Sequence, residues 1–275
     1  MTTHLIVDTS AMAYRAMYST GTLEHEGEAT GVLYGIFRDV SALAELHQTQ
    51  SVAWCFDGGY DGRKNLFPGY KASRHKRHWA DEQLRESRRQ IRKQLYRLRT
   101  KLLPEAGFAN VFWQEGYEAD DLIASTCKGM PDGDIGITVA ADSDFYQLLE
   151  VDRVLIWNPM KKKIITAESF TAEWGLPPED WAMVKAIAGC SSDEVPGVKG
   201  VGEKTVAKYL RGELGEQTKA FKAIVASGDI IERNLQLVRL PFAGTMPCPL
   251  RCDNRNGWNR VMKSLGINSL LGRMK

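Results

Sequence analysis

The sequence predicts an α/β fold, a mostly parallel central sheet flanked by helices. Three observations predict it: short unbroken apolar runs recur along the chain, helical patterns separate them, and three of the four runs lead into aspartate. The runs are His4 to Val7 before Asp8, Val52 to Phe56 before Asp57, Ile135 to Ala140 before Asp142 and Asp144, and Val154 to Trp157. Continuous apolar runs of this length suit strands buried on both faces of a parallel sheet.

The helical patterns run from Gly31 to Leu46, Leu84 to Leu102 and Ala119 to Lys128. In the second, Leu84, Ile91, Leu95, Leu98 and Leu102 recur at helical spacing while arginines fill the other faces. Pro104 and Gly107 are expected to close that helix. The texture changes near Pro177: a helix at Trp181 to Ile187, a Gly/Ser-rich turn region from Gly189 to Gly202, another helix from Thr205, and a less regular tail after Pro241. The expected organisation is an α/β core over residues 1–176, including a basic segment at 63–103, and a helical subdomain over 177–275.

Composition is that of an ordinary globular protein, with 43% hydrophobic and 25% charged residues among 275. No apolar stretch approaches the ~18 residues of a membrane span. The start, MTTHLIVDTS, has no basic head with an apolar run behind it, so it reads as a first strand and the expected location is the cytoplasm. The five cysteines are odd in number and mostly far apart, as reduced thiols would be. Cys248 and Cys252 lack the second Cys/His pair of a structural zinc site.

The net charge of +2 hides an asymmetry. From Arg63 to Lys101 there are 14 Lys/Arg against three acids, a charge of +11 that leaves −9 on the remainder. A basic block on an acidic body is expected of a polyanion binder that also holds cations.

The candidate acids are Asp8, Asp57, Glu118, Asp120, Asp121, Asp142, Asp144 and Asp193. In open parallel sheets the functional crevice lies off the carboxyl ends of the strands. Glu118 and Asp121 share one helix face beside Asp120. Asp142 and Asp144, two apart at an extended strand end, are expected to point the same way. Carboxylates gathered in one crevice repel one another and persist when cations or protons neutralise them. An all-oxygen donor set suits Mg²⁺ or Mn²⁺. Two such ions about 3.5–4 Å apart would stabilise both oxygens of an in-line phosphoryl displacement.

These residues carry a resemblance. LIVDTSAMAYRA (Leu5–Ala16), CFDGGYDGRKNLFPGYKASR (Cys55–Arg74), GYEADDLIA (Gly116–Ala124), the ADSDFYQLL stretch ending at Leu149, and AGCSSDEVPGVKGVGEKTVAKYL (Ala188–Leu210) occur in order with family-like spacing. The chain resembles the 5′-nuclease superfamily of flap endonucleases, and is similar to bacteriophage 5′-exonucleases and the 5′-nuclease domain of bacterial DNA polymerase I.

The resemblance implies that Asp8, Asp57, Glu118 and Asp120 hold one metal ion, and that Asp142 and Asp144 lean to a second, with Asp121 and Asp193 nearby. It implies that Tyr70, Lys71 and Arg74 stand at the base of a basic helical arch, with Lys71, Arg74 and Arg15 serving the scissile phosphate. Fixed cations suit charge spread over phosphoryl oxygens. Gly197 to Lys204 resembles a helix-hairpin-helix element, so Lys199, Gly200, Gly202 and Lys204, together with Arg63 of the basic block, are expected at DNA, and K⁺ at the hairpin. The implied partner is DNA with 5′ flaps, 5′ ends or branches, bound by a monomer.

One position departs from the family pattern Gly-Asp-x-x-Asp: the chain reads Gly189-Cys190-Ser191-Ser192-Asp193. A neutral thiol supplies neither charge nor a hard oxygen, so the second metal is expected to bind more weakly. Two competing functions follow. A branched-DNA-binding protein impaired in catalysis would have lost chemistry through Cys190, yet the other carboxylates are intact. A metal-dependent ribonuclease would have no evident need of arch or hairpin.

Overall fold

A computed structural model describes residues 1–73 and 82–274. The sheet has six strands: β1 (Thr3–Asp8), β2 (Ser51–Phe56), β3 (Val111–Trp113), β4 (Ile135–Val139), β5 (Val154–Asn158) and β6 (Lys163–Ile165). Their order is β3-β2-β1-β4-β5-β6, all parallel except β6, which runs antiparallel to β5. The expected α/β fold is present, and each predicted apolar run is a strand to within one residue.

Alternation along the strands builds two cores. Leu5 and Val7 of β1 join Val52, Trp54, Ile137 and Val139 on one face, where α1 (Thr9–Thr20) and α2 (Gly31–Leu46) cover them. Ile6 joins Ala53, Cys55, Val154 and Ile156 on the other. Successive strand residues point to opposite faces, and each fully buried Leu, Ile or Val contributes roughly 1.5–3 kcal/mol. Unbroken apolarity is therefore what a sheet covered twice requires.

The chain continues through α3 (Asp61–Leu66) and α4 (Glu82–Arg97), whose axis passes into a π-helical turn, Leu98–Leu102, and then α5 (Leu103–Ala106). The stop expected at Pro104 is corrected here. Pro104 lies inside this helical run, just past the π-helical turn, and Gly107, at φ 96°, ends the helix. Then α6 (Ala119–Gly129), α7 (Ala167–Trp174) and α8 (Trp181–Ala188) pack on the second face. Trp174 and Trp181 meet edge to face at 4.6 Å beside Phe170 and Tyr146.

Beyond α9 (Glu203–Leu210) the chain adds short helices, and Trp258, Val261, Met262 and Ile267 return to the core beneath α1 and α2. The end of the stretch expected as a helical subdomain is thus packed with the α/β core. All five cysteines are free thiols. Among the described residues no helix is long and apolar enough to cross a membrane.

From β1 the chain first adds β2 and β3 on one side, then β4 to β6 on the other. The direction of winding switches beside β1. That places a crevice at the carboxyl ends of β1, β2 and β4.

Candidate active site

Off those strand ends lies a cleft of about 630 Å³. Asp8, Asp57, Glu118, Asp120, Asp142 and Asp193 line it, together with Arg15 and Lys71. The fold assembles acids separated by up to 185 positions because each stands where a strand meets the next turn or helix.

Helix N-termini hold several of them. Asp8 caps α1, its carboxylate accepting the Ala11 N–H at 2.8 Å. Asp57 accepts the Ala119 N–H at the start of α6 at 2.9 Å. Glu118 is the N-cap of α6 itself. Unpaired amides and the positive end of the helix dipole partly offset the carboxylate charge. The loops meet closely as well: a Cβ on Gly58 would lie 1.8 Å from the Gln114 carbonyl oxygen, so only glycine lets the chain after β2 seat against the entry to α6.

The offset is partial. Burial, with Asp57 adding, pushes the Asp8 carboxyl up to about 7. Burial beside Asp8 and Glu118 holds Asp120 well above the usual carboxylate range, with Lys71 opposing. The cleft therefore favours a cation among these acids. The donors are hard oxygens, which fit Mg²⁺ or Mn²⁺.

The base of the expected arch sits on this floor. The Tyr70 hydroxyl lies 2.7 Å from Glu118 Oε2 and 3.1 Å from Asp193 Oδ2. Lys71 Nζ pairs with Glu118 Oε1 and stands 3.2 Å from Asp193 Oδ1. Arg15 lines the cleft and pairs with Asp39 at 2.9 Å. Arg74 lies outside the described residues.

A second group lies alongside, and there the structure corrects the extended arrangement expected of Asp142 and Asp144. Asp142 caps a 3₁₀ turn, Ser143–Leu148, and accepts the Asp144 N–H at 2.9 Å. Asp142 lines the cleft, while Asp144 pairs with Lys185. Among the described residues, Asp144, Cys190 and Asp193 form the one trio whose donor atoms all lie within 4.8 Å of one another. Burial, then Asp144 and Asp193, pushes the Cys190 thiol up to about 11, so it stays neutral at physiological pH. Its Sγ lies 3.0 Å from Ser192 Oγ.

Arg63 and Asp121 are a second correction. Arg63, expected at DNA, is 3% exposed and grips Asp121 with two bonds of 2.6 and 2.7 Å. Asp121, fully buried, also accepts the Glu118 N–H at 3.2 Å and the Phe242 N–H at 2.8 Å. Its oxygens are spent on that network, so it braces α6 under Glu118 rather than facing the cleft. A bidentate Arg–carboxylate pair of this kind resists separation.

Further along the chain, Gly202 caps α9 and, like Gly200 at φ 78°, has open space where a Cβ would stand. Lys199 and Lys204 flank them, both exposed.

The family model described as 5′-3′ exonuclease, N-terminal resolvase-like domain, matches residues 3–175. The chain belongs to the 5′-3′ exonuclease family. Its relatives include the 5′-3′ exonuclease of Bacillus subtilis, 33% identical over 218 residues that cover 75% of this chain and 69% of the relative. The thermostable DNA polymerase I of Thermus thermophilus is 33% identical over 284 residues, 97% of this chain and 32% of the polymerase. The chain therefore spans about a third of the polymerases it matches. In fold it is similar to the T5 5′-exonuclease solved with zinc ions, at TM-score 0.73 and 23% identity over 87% of this chain and 90% of that one. A T5 flap endonuclease solved with DNA and metal ions gives TM-score 0.72 at 21% identity, covering 87% and 89%.

Within this family frame, sequence reasoning passed over two groups. Lys185, 6% exposed, places Nζ 2.9 Å from Asp144 Oδ1 and 3.0 Å from Glu203 Oε1. The signal was available, since Lys185 is the one charge in the apolar helix WAMVKAIA. Pro159 and Met160, from the turn between β5 and β6, also line the cleft, and nothing in their local sequence marks them.

Proposed function

We propose that this chain is a metal-dependent 5′-3′ exonuclease and structure-specific flap endonuclease that hydrolyses DNA phosphodiester bonds. The observation that carries the reading is the seat of Tyr70 and Lys71, at the foot of the basic segment, on the carboxylates Glu118 and Asp193. Relatives bearing the 5′-3′ exonuclease name and fold neighbours solved with DNA support it.

In this reading Asp8, Asp57, Glu118 and Asp120 hold one Mg²⁺ or Mn²⁺, and Asp142, Asp144 and Asp193 a second, weaker one beside Cys190. The ions would supply Lewis-acid stabilisation of phosphoryl oxygens and activation of water. The protein's own groups do the rest. Lys71 and Arg15 set positive charge against the scissile phosphate, Arg74 adding to it, and Tyr70 fixes Glu118. Lys199, Gly200, Gly202 and Lys204 hold duplex backbone without reading sequence, with K⁺ at the same hairpin. The basic segment receives the single strand through its phosphates.

Two observations favour a second reading, a branched-DNA binder of impaired activity: Cys190 is neutral, and Lys185 pairs with Asp144. Labelled 5′-flap DNA, blunt duplex and single-stranded RNA, each incubated with Mg²⁺ or with chelator, separate the two. Metal-dependent release of short 5′ products from flap DNA is expected. Binding without cutting would select the second reading, and cleavage of RNA alone would overturn both.

A further inference from the structure

The turn that carries Asp193 grips the foot of the basic segment at two points. The Lys71 N–H donates to the Asp193 carbonyl at 2.9 Å. Two residues on, the Ser73 N–H lies 3.0 Å from each oxygen of the Glu194 carboxylate, and the Ser73 hydroxyl donates to Glu194 Oε1 at 2.6 Å. The partners are 121 positions apart, so these bonds tie two distant segments.

Both segments are bent to make the grip. Lys71 stands at φ 51° and Glu194 at φ 59°, the left-handed region that side chains other than glycine avoid. Such a conformation persists where surrounding bonds over-determine it. Here a carboxylate is the fitting acceptor: it presents two oxygens to an N–H and an O–H, and charge strengthens both bonds.

We propose that Glu194 is a positioning residue that clamps Ser73 and thereby fixes Lys71, 4% exposed in the wall of the cleft, on Glu118 and Asp193. Glu194 acts through Lys71 and does not itself touch the substrate. Residues 70 to 73 are then held at both ends of one short arc: Tyr70 and Lys71 on Glu118 and Asp193, Ser73 on Glu194. Release of the Ser73 end lets the Lys71 ammonium drift from the phosphate it must meet. A displacement of about 1 Å can cost on the order of 100-fold in rate. The inference rests on the role given to Lys71 above.

The test is a double-mutant cycle of Glu194→Ala and Lys71→Ala. It is read as single-turnover cleavage of 5′-flap DNA at saturating Mg²⁺, with DNA affinity in chelator and Tm measured alongside. Glu194→Ala is expected to slow cleavage roughly 10- to 100-fold with affinity and Tm near those of the parent, and Glu194→Gln, which keeps one acceptor oxygen, to fall between. In the Lys71→Ala background the same change is expected to add less than about twofold, because coupled residues are not additive. Should Glu194→Ala lower Tm, Ser73→Ala removes only the hydroxyl and is expected to slow cleavage in the same direction at parental Tm. An unchanged rate in Glu194→Ala with a slowed Lys71→Ala overturns the clamp alone, as does full additivity. A parental rate in Lys71→Ala overturns the role of Lys71 itself.

Discussion

The two carboxylate groups around the cleft are built from similar acids but keep different company. The outer set, Asp8, Asp57, Glu118 and Asp120, has helix N-termini, the Lys71 ammonium and the Arg63 guanidinium 3.2 Å from Glu118 to offset it, and burial, with Asp57 adding, still lifts Asp8 to about 7. The inner set, Asp144 and Asp193 with Cys190, already has a buried ammonium 2.9 Å from Asp144, and its third member is a neutral thiol. Unlike charges close together stabilise each other's ionised forms, and like charges oppose them. By charge alone the outer group has the greater demand for a cation, whereas the inner trio is the one, among the described residues, whose donor atoms stand within 4.8 Å of one another. The lesson is that the number of acids does not set cation demand; the charge left after internal pairing does.

The comparison is broken most directly at the outer set. Asp57→Asn is expected to lower single-turnover cleavage by roughly a thousandfold or more, since a bound ion contributes several kcal/mol at the transition state. Cleavage within tenfold of the parent would mean that the outer acids are not where the chemistry occurs.

The inner set should respond in the opposite direction. Cys190→Asp adds a hard, charged oxygen donor, and the Mg²⁺ concentration for half-maximal cleavage is expected to fall by about tenfold, equivalent to roughly 1.4 kcal/mol. Superimposable Mg²⁺ titrations of parent and variant would remove Cys190 from the account.

Protons sharpen the contrast. With its folded value near 7 and its ordinary value at 3.8, the Asp8 carboxyl contributes stability that is full below pH 3.8 and is lost as the pH rises through 7. In chelator, Tm of the parent is expected to fall over that window by a few degrees relative to Asp8→Asn, and Mg²⁺ to restore it. Because the ion must displace this proton, the apparent Mg²⁺ affinity should drop by about tenfold per pH unit below 7. Parallel Tm curves for parent and variant would show that Asp8 is not held protonated.

The smallest effect on DNA binding is expected from Arg63→Met. It leaves the fully buried Asp121 without its cation, at a cost of roughly 3–5 kcal/mol seen as a lower Tm. The salt dependence of DNA binding by the folded variant should match the parent, whereas Lys204→Ala should reduce that slope by about one. A reduced slope in Arg63→Met would return Arg63 to the DNA surface.

Much of this was legible in the chain because it is local. A strand buried on both faces must be apolar throughout, so β1, β2, β4 and β5 announce themselves, and the residue after each strand stands at the crevice by topology. Asp8, Asp57 and Asp142 followed from that alone. Arg63 was misassigned because its neighbours in sequence are basic and Gly-rich, while its partner Asp121 is 58 positions away. Lys185 was overlooked because a lysine in a helix is usually solvated, and only the seat of α8 against the 3₁₀ turn after Asp142 buries it.

The sequence by itself determined the α/β class, the strand-end acids, the basic segment and the thiol at position 190, since periodicity, composition and identity are properties of neighbours along the chain. Tertiary structure alone decided which groups pair: Arg63 with Asp121 and Glu118, Lys185 with Asp144, Lys71 with Glu118 and Asp193, and Ser73 with Glu194. The physical reason is distance dependence. Coulomb and hydrogen-bond energies are set by a few ångströms of separation in space, and separation along the chain carries no record of it until the backbone has closed.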